Sequence, residues 1–137
     1  MSYWLMKSEP SAYSWDQLVK DGRTHWNGVR NYQAANNLKA MKKGDRAFFY
    51  HSNEGVAVVG IVEIVKEYYP DPTDETGRFG MVDVKPVMPV KTPVALAAIK
   101  AEPKLAELPL VRQSRLSVSP VDAASWKLIC KMGGVPA

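Results

Sequence analysis

Apolar residues along this chain recur in short blocks, the longest being Val56 to Val62, with turn-forming residues between them. Tyr3 to Lys7 predicts a short strand. Ser14-Trp15-Asp16-Gln17 has the form of a capping box that opens a helix to Lys20, which Asp21-Gly22 ends. Asn31 is the expected N-cap of a second helix reaching about Met41, with a basic turn at Lys42-Lys43-Gly44-Asp45 after it. The aromatic-rich Arg46 to Ser52 and the β-branched Val56 to Tyr69 are joined by Asn53-Glu54-Gly55, and together they predict a hairpin. Gly60 falls inside the second arm, where a bulge or a close backbone approach would bend it.

Pro70 to Gly80 reads as a polar loop. In Met81 to Val87, Val82 and Val84 alternate with Asp83 and Lys85, which predicts a half-buried strand whose far end Pro86 confines to an edge or bulge. Leu96 to Ala101 and Lys104 to Leu108 suggest short helical pieces around Pro103, and Arg115 to Val118 a further strand. Ser119-Pro120-Val121-Asp122 combines an N-cap, a proline at the first helical position and an acid three residues on. The helix it opens would close at Gly133-Gly134 and bury Val121, Leu128, Ile129 and Met132. Antiparallel strands with peripheral helices predict an α+β fold whose bent sheet approaches a small β-barrel. The 137 residues fit a single domain over 1–137.

Composition narrows the function classes. Cys130 is the only cysteine, which excludes an internal disulfide or a cysteine-based zinc cage and fits a reducing, cytoplasmic location. No apolar run is long enough to span a membrane as a helix, and no export signal is visible. The net charge of +4 favours a polyanionic partner, although the cations are scattered and serve solubility equally well.

Hydrolytic and metal chemistry find little support. His51 and Ser52 are adjacent on a strand and point to opposite faces, so they form no dyad with each other. A triad assembled through the fold stays open. His25 and His51 show no metal-ligand spacing, and there is no phosphate-cradling glycine motif. Cys130 inside the last helix reads as a packed thiol.

The richer signal is Trp26-Asn27-Gly28-Val29-Arg30-Asn31-Tyr32-Gln33, with Asn36 and Asn37 beyond it. Aromatic rings offer stacking faces, and amides offer the donor and acceptor pairs that suit a base edge. The same residues would serve equally as core aromatics and helix caps. In Lys7-Ser8-Glu9-Pro10, Lys7 could meet a phosphate while Ser8 and Glu9 bond an exocyclic amine, or the segment could be a solvated turn.

Met6-Lys7-Ser8-Glu9-Pro10, Trp26 to Ala34, Phe48-Phe49-Tyr50-His51-Ser52, Gly60-Ile61-Val62-Glu63 and Arg115-Leu116-Ser117-Val118 together resemble, in order, the motifs of the EVE domain family of the PUA-like superfamily. The resemblance implies a PUA-like α+β fold, related to the YTH domains that hold a methylated base in an aromatic cage. It also implies non-catalytic binding of a modified nucleobase, such as 5-methylcytosine, in DNA or RNA, with the base flipped into a pocket. No cofactor and no metal are expected. Trp26 and Tyr32 would be the pocket walls, with Trp15 a weaker candidate. Ser8, Glu9, Asn31, Gln33, His51 and Ser117 would read the base or brace the pocket. Lys7, Arg30, Lys42, Lys43 and Arg115 would meet phosphates, although Arg30 could equally be an internal hydrogen-bond hub. On the strand of His51, the face shared by Ala47, Phe49 and His51 would line the pocket and leave Phe48 and Tyr50 to packing.

Two positions depart from the family pattern, Ala35 where a basic residue is frequent and Phe79 where a larger aromatic is common. They would weaken the phosphate grip or reshape the pocket if they touch ligand. With no basic N-terminal tail and no fused nuclease in the sequence, the protein could act through an effector protein. Two alternatives stand beside base binding: a hydrolase of modified nucleosides or RNA, like the related ASCH-type domains, and a protein-interaction domain.

Overall fold

A computed structural model describes all residues 1–137. Six strands, β1 (Tyr3–Ser8), β2 (Thr24–His25), β3 (Arg46–His51), β4 (Ala57–Pro70), β5 (Gly80–Ala95) and β6 (Val118–Val121), form one sheet in the order β2-β5-β4-β3-β1-β6. The helices are α1 (Trp15–Asp21), α2 (Tyr32–Ala40), α3 (Leu96–Ala101), α4 (Pro109–Arg112) and α5 (Ala123–Gly133). This is the α+β architecture expected, with two corrections. The sheet is open, since β2 and β6 lie at opposite edges. It is also not wholly antiparallel: β1 pairs with β3 in parallel, Lys7 opposite Tyr50 and Ser8 opposite His51. The chain between them, carrying α1, β2 and α2, is a crossover long enough to return β3 in the same direction.

Both faces of the sheet are covered, which is why Ala47 to Tyr50 is an unbroken run of buried apolar and aromatic residues. Ala47 and Phe49 face a core with Trp4, Met6, Leu18 of α1 and Leu38 of α2. Phe48 and Tyr50 face a second core with Leu5, Ile99 of α3 and Trp126 of α5. Trp126 stacks between Phe48 (ring centroids 3.9 Å) and Tyr3 (4.4 Å), and each large side chain so buried contributes about 1.5–3 kcal/mol. Cys130 is fully buried in the second core, which pushes its thiol up to about 11.

The β3–β4–β5 meander forms as predicted, and Gly60 sits at a register shift with the Trp15 ring laid against its backbone. Other expectations are corrected. β5 does not stop at Val87 but runs to Ala95 through Pro86, Pro89 and Pro93. Because β2 pairs only with Asp83 and Val84, one edge of β5 is free beyond that point, and the β4–β5 register shifts near Pro86 and Pro89, the edge and bulge settings that tolerate proline. Ser119 is not an N-cap. Val118–Val121 pair with Tyr3–Met6 as β6, and the cap is Asp122, whose carboxylate accepts from the Ser125 N–H at 3.1 Å. Arg115 to Ser117 precede that strand rather than belong to it. Asp83, expected on the solvent face, is buried.

Candidate nucleic-acid interface

A cavity of about 350 Å³ opens where β1 ends, lined by Lys7, Ser8, Ala12, Tyr13, Thr24, His25, Trp26 and Asn27. Its walls are set by short-range bonds. The Ala12 and Tyr13 N–H groups donate to the Glu9 carbonyl at 3.0 and 2.8 Å, and the Ser8 hydroxyl donates to the Tyr13 carbonyl at 2.6 Å, so the chain turns tightly after β1. On the other side the Trp26 N–H donates to the Val82 carbonyl at 2.7 Å, which carries the β2 edge one residue further along β5. The Trp26 ring packs edge-on to Phe49 (5.6 Å, 87°), so it is anchored in the core while it contributes to the cavity wall.

His25 borders the cavity over a buried polar cluster. Its Nδ1 lies 2.9 Å from Asp83 Oδ1 and 2.9 Å from the Tyr69 hydroxyl oxygen, while Arg23 pairs with Asp83 at 2.9 Å. Burial alone would raise the Asp83 carboxyl, but hydrogen bonds from Tyr69, His25 and Arg23 outweigh it and hold the group below the usual carboxylate range. Burial, and then the hydrogen bond to Asp83, pushes the Tyr69 phenol up to about 12.

Of the residues expected at the site, Lys7, Ser8 and Trp26 meet in this cavity. The Lys7 ammonium donates to the Ser114 carbonyl at 2.8 Å, and partial burial lowers its pKa. That contact ties the cavity to an open groove of about 340 Å³ that contains Asn31, Gln33 and Arg115, together with Arg112 and Gln113. Asn31 caps α2, accepting from the Ala34 N–H at 3.0 Å, and Arg112 is ion-paired with Glu107. Ser117 lies beside Lys7, its carbonyl accepting from the Lys7 N–H at 2.9 Å.

The remaining candidates lie elsewhere. Tyr32 is 61% exposed and rests on Phe79 (5.0 Å, 40°), outside the cavity that Trp26 lines, so the two rings do not face one another. Arg30 is a hub, donating to buried Asp71 at 3.1 Å and to Thr73 at 2.9 Å. His51 accepts the Trp15 N–H at 3.1 Å and so pins the start of α1, and burial lowers its pKa against a weaker opposing effect of Asp16. Trp15 itself is buried against Phe49 and Gly60, and Glu9 is exposed beside the cavity without lining it. Lys42 and Lys43 flank Met1 and Ser2, at the opposite end of β1 from Lys7. Ala35 is buried, so its side chain does not reach the surface, whereas Phe79 underlies Tyr32. Sequence reasoning missed His25, Tyr13 and Thr24 and gave Asn27, inside the singled-out stretch, no role; His25 precedes Trp26, and that adjacency was the signal available.

The EVE domain family model matches residues 2–132, nearly the whole fold just described. This chain belongs to the EVE domain family. Human thymocyte nuclear protein 1 is 34% identical over 96% of this EVE chain and 73% of its own length. A solved protein of Rhodopseudomonas palustris is 60% identical with a TM-score of 0.93, covering 98% of this chain and 94% of that one. The crystal structure of the human THYN1 protein in complex with 5-methylcytosine-containing DNA has a TM-score of 0.93 and 33% identity, over 100% of both chains. A YTH domain from Zygosaccharomyces rouxii, solved with N6-methyladenosine RNA, shares the EVE fold at a TM-score of 0.62 and 17% identity over 99% of this chain and 88% of its own. No helix of the EVE chain is long and apolar enough to cross a membrane.

Proposed function

We propose that this EVE domain, acting as one unit over residues 1–137, is a non-catalytic reader that binds a nucleic-acid strand and seats a modified base, such as 5-methylcytosine, against Trp26. The observation that carries this reading is the likeness along the whole chain to the THYN1 protein, which was solved with 5-methylcytosine-containing DNA. The geometry supports it. An open cavity of about 350 Å³ lined by the aromatic Trp26 and Tyr13 and several polar side chains is the kind of site a flipped base occupies. Lys7 and Arg115 of the neighbouring groove offer positive charge on one side of it. Output from such binding would come from an effector protein.

Labelled oligonucleotides that differ only in a central cytosine, unmodified or 5-methylated, test the reading by fluorescence anisotropy at two salt concentrations. The methyl group alone gives a preference of about fourfold, from about 0.8 kcal/mol of burial. Trp26→Leu, which keeps an apolar side chain but removes the stacking face, should abolish the preference. Equal, weak and salt-insensitive binding of all strands would overturn base reading, and release of free base beyond one equivalent per protein would favour a hydrolase.

A further inference from the structure

We infer that His25 reads the exocyclic amine of the seated base, so that the site accepts an amino pyrimidine and rejects thymine; this rests on the base-seating reading above. His25 Nδ1 faces two oxygens. One is Asp83 Oδ1 at 2.9 Å, on a carboxylate held ionised, and the other is the Tyr69 hydroxyl oxygen at 2.9 Å. Tyr69 spends its own proton on Asp83 Oδ1, so its oxygen also meets Nδ1 with a lone pair. Both partners of Nδ1 are therefore acceptors, and Nδ1 must carry the proton. In the neutral ring, Nε2 is then an acceptor.

Asp83 and Tyr69 lie behind the ring and do not line the cavity, whereas His25 does, with 64% of its side chain exposed. Nε2 makes no hydrogen bond within the chain, and it sits on the edge of the ring turned away from Asp83. An unpaired acceptor beside a base pocket selects a donor. Cytosine presents an N4 amine at ring position 4, while thymine presents an O4 acceptor there.

The distinction matters because 5-methylcytosine and thymine carry the same methyl group at the same carbon. Apolar contact with that methyl favours both equally, and stacking on Trp26 is blind to the substituent at position 4. Only a polar group aimed at that position separates them. His25 is held in register for this by a buried carboxylate, in the way that outer partners orient a functional imidazole.

The test uses single strands identical except for a central 5-methylcytosine or thymine, so that no base pair has to be broken in either. Anisotropy should show the wild-type protein preferring 5-methylcytosine by roughly tenfold, the cost of setting an oxo group against an unpaired acceptor. His25→Phe keeps a planar ring without the acceptor and should bring that ratio close to one. His25→Gln, whose amide oxygen can accept, should restore part of it. A wild-type ratio near one, or a ratio unchanged in His25→Phe while Trp26→Leu abolishes binding of both strands, would overturn the role of His25 and leave base seating intact. Absence of binding to either strand, or binding indifferent to Trp26→Leu, would overturn base seating and the His25 inference with it.

Discussion

Asp71 shows how a single buried carboxylate shapes the interface from behind. Burial would raise its carboxyl, but hydrogen bonds from Thr73, from the Gly28 N–H and from Arg30 outweigh that and hold it at about 2. It thereby ties the segment that follows Trp26 to the loop after β4, and it takes up part of the Arg30 charge. Because the folded-state value lies below the ordinary 3.8, this carboxylate stabilises the fold fully above about pH 4, and the contribution fades as pH falls towards 2. The shift corresponds to on the order of 2 kcal/mol. Asp71→Asn should lower stability near neutral pH by about that amount, read from urea denaturation, and the gap from wild type should close as pH is lowered from 4 to 2. A gap independent of pH would show that the carboxylate charge is not what stabilises this corner.

At the scale of elements, β4 and α1 are fitted to one another at Gly60. The backbone there has no room for a side chain, because a Cβ would enter the Trp15 ring, and Trp15 is fixed in turn by its N–H bond to His51 and its edge contact with Phe49. Gly60→Ala should therefore push α1 off the sheet at a cost of about 1–3 kcal/mol, measured as a lower denaturation midpoint. A midpoint equal to wild type would mean that Trp15 can move without penalty. The sequence made this bend legible because a glycine inside an apolar run has few other meanings. It did not make β2 legible, since two residues carry no period, nor β6, since a serine and a proline ahead of an acid imitate a helix start when the pairing partner lies far away in the chain.

For the whole molecule, the net charge of +4 matters less than where the cations lie. Arg115 shares a groove with Asn31 and Gln33, next to Lys7, whereas Lys42 and Lys43 lie beyond the other end of β1, about 20 Å away for a strand of this length. A strand bound at the Trp26 cavity should register that difference in its salt dependence. Arg115→Ala should flatten the slope of log affinity against log salt by about 0.7 for a single strand, and the double substitution Lys42→Gln with Lys43→Gln should leave it unchanged. The reverse pattern would move the nucleic-acid path to the far end of the sheet.

Local chemistry determined much of this protein in advance. The α1 and α2 caps at Ser14 and Asn31, the β3–β4–β5 meander, the bend at Gly60 and the family motifs are all readable along the chain, because each depends on neighbours within a few positions. The candidate site was legible in part in the same way: Lys7, Ser8 and Trp26, three of the residues singled out in the sequence, line one cavity. What remained was decided by contacts between distant segments. The Lys7 ammonium finds Ser114 across 107 positions, and His25 finds Asp83 across 58. Alternation in β5 assigns Asp83 to solvent, yet the short β2 strand brings Arg23 and His25 over it and turns an outward position into a buried one. Tyr32 shares a motif with Trp26, and His51 stands in another of the family motifs, but the α2 start and the α1 anchor claim them. Pairing of strands remote in sequence sets which side chains share a cavity, and no local pattern encodes that pairing.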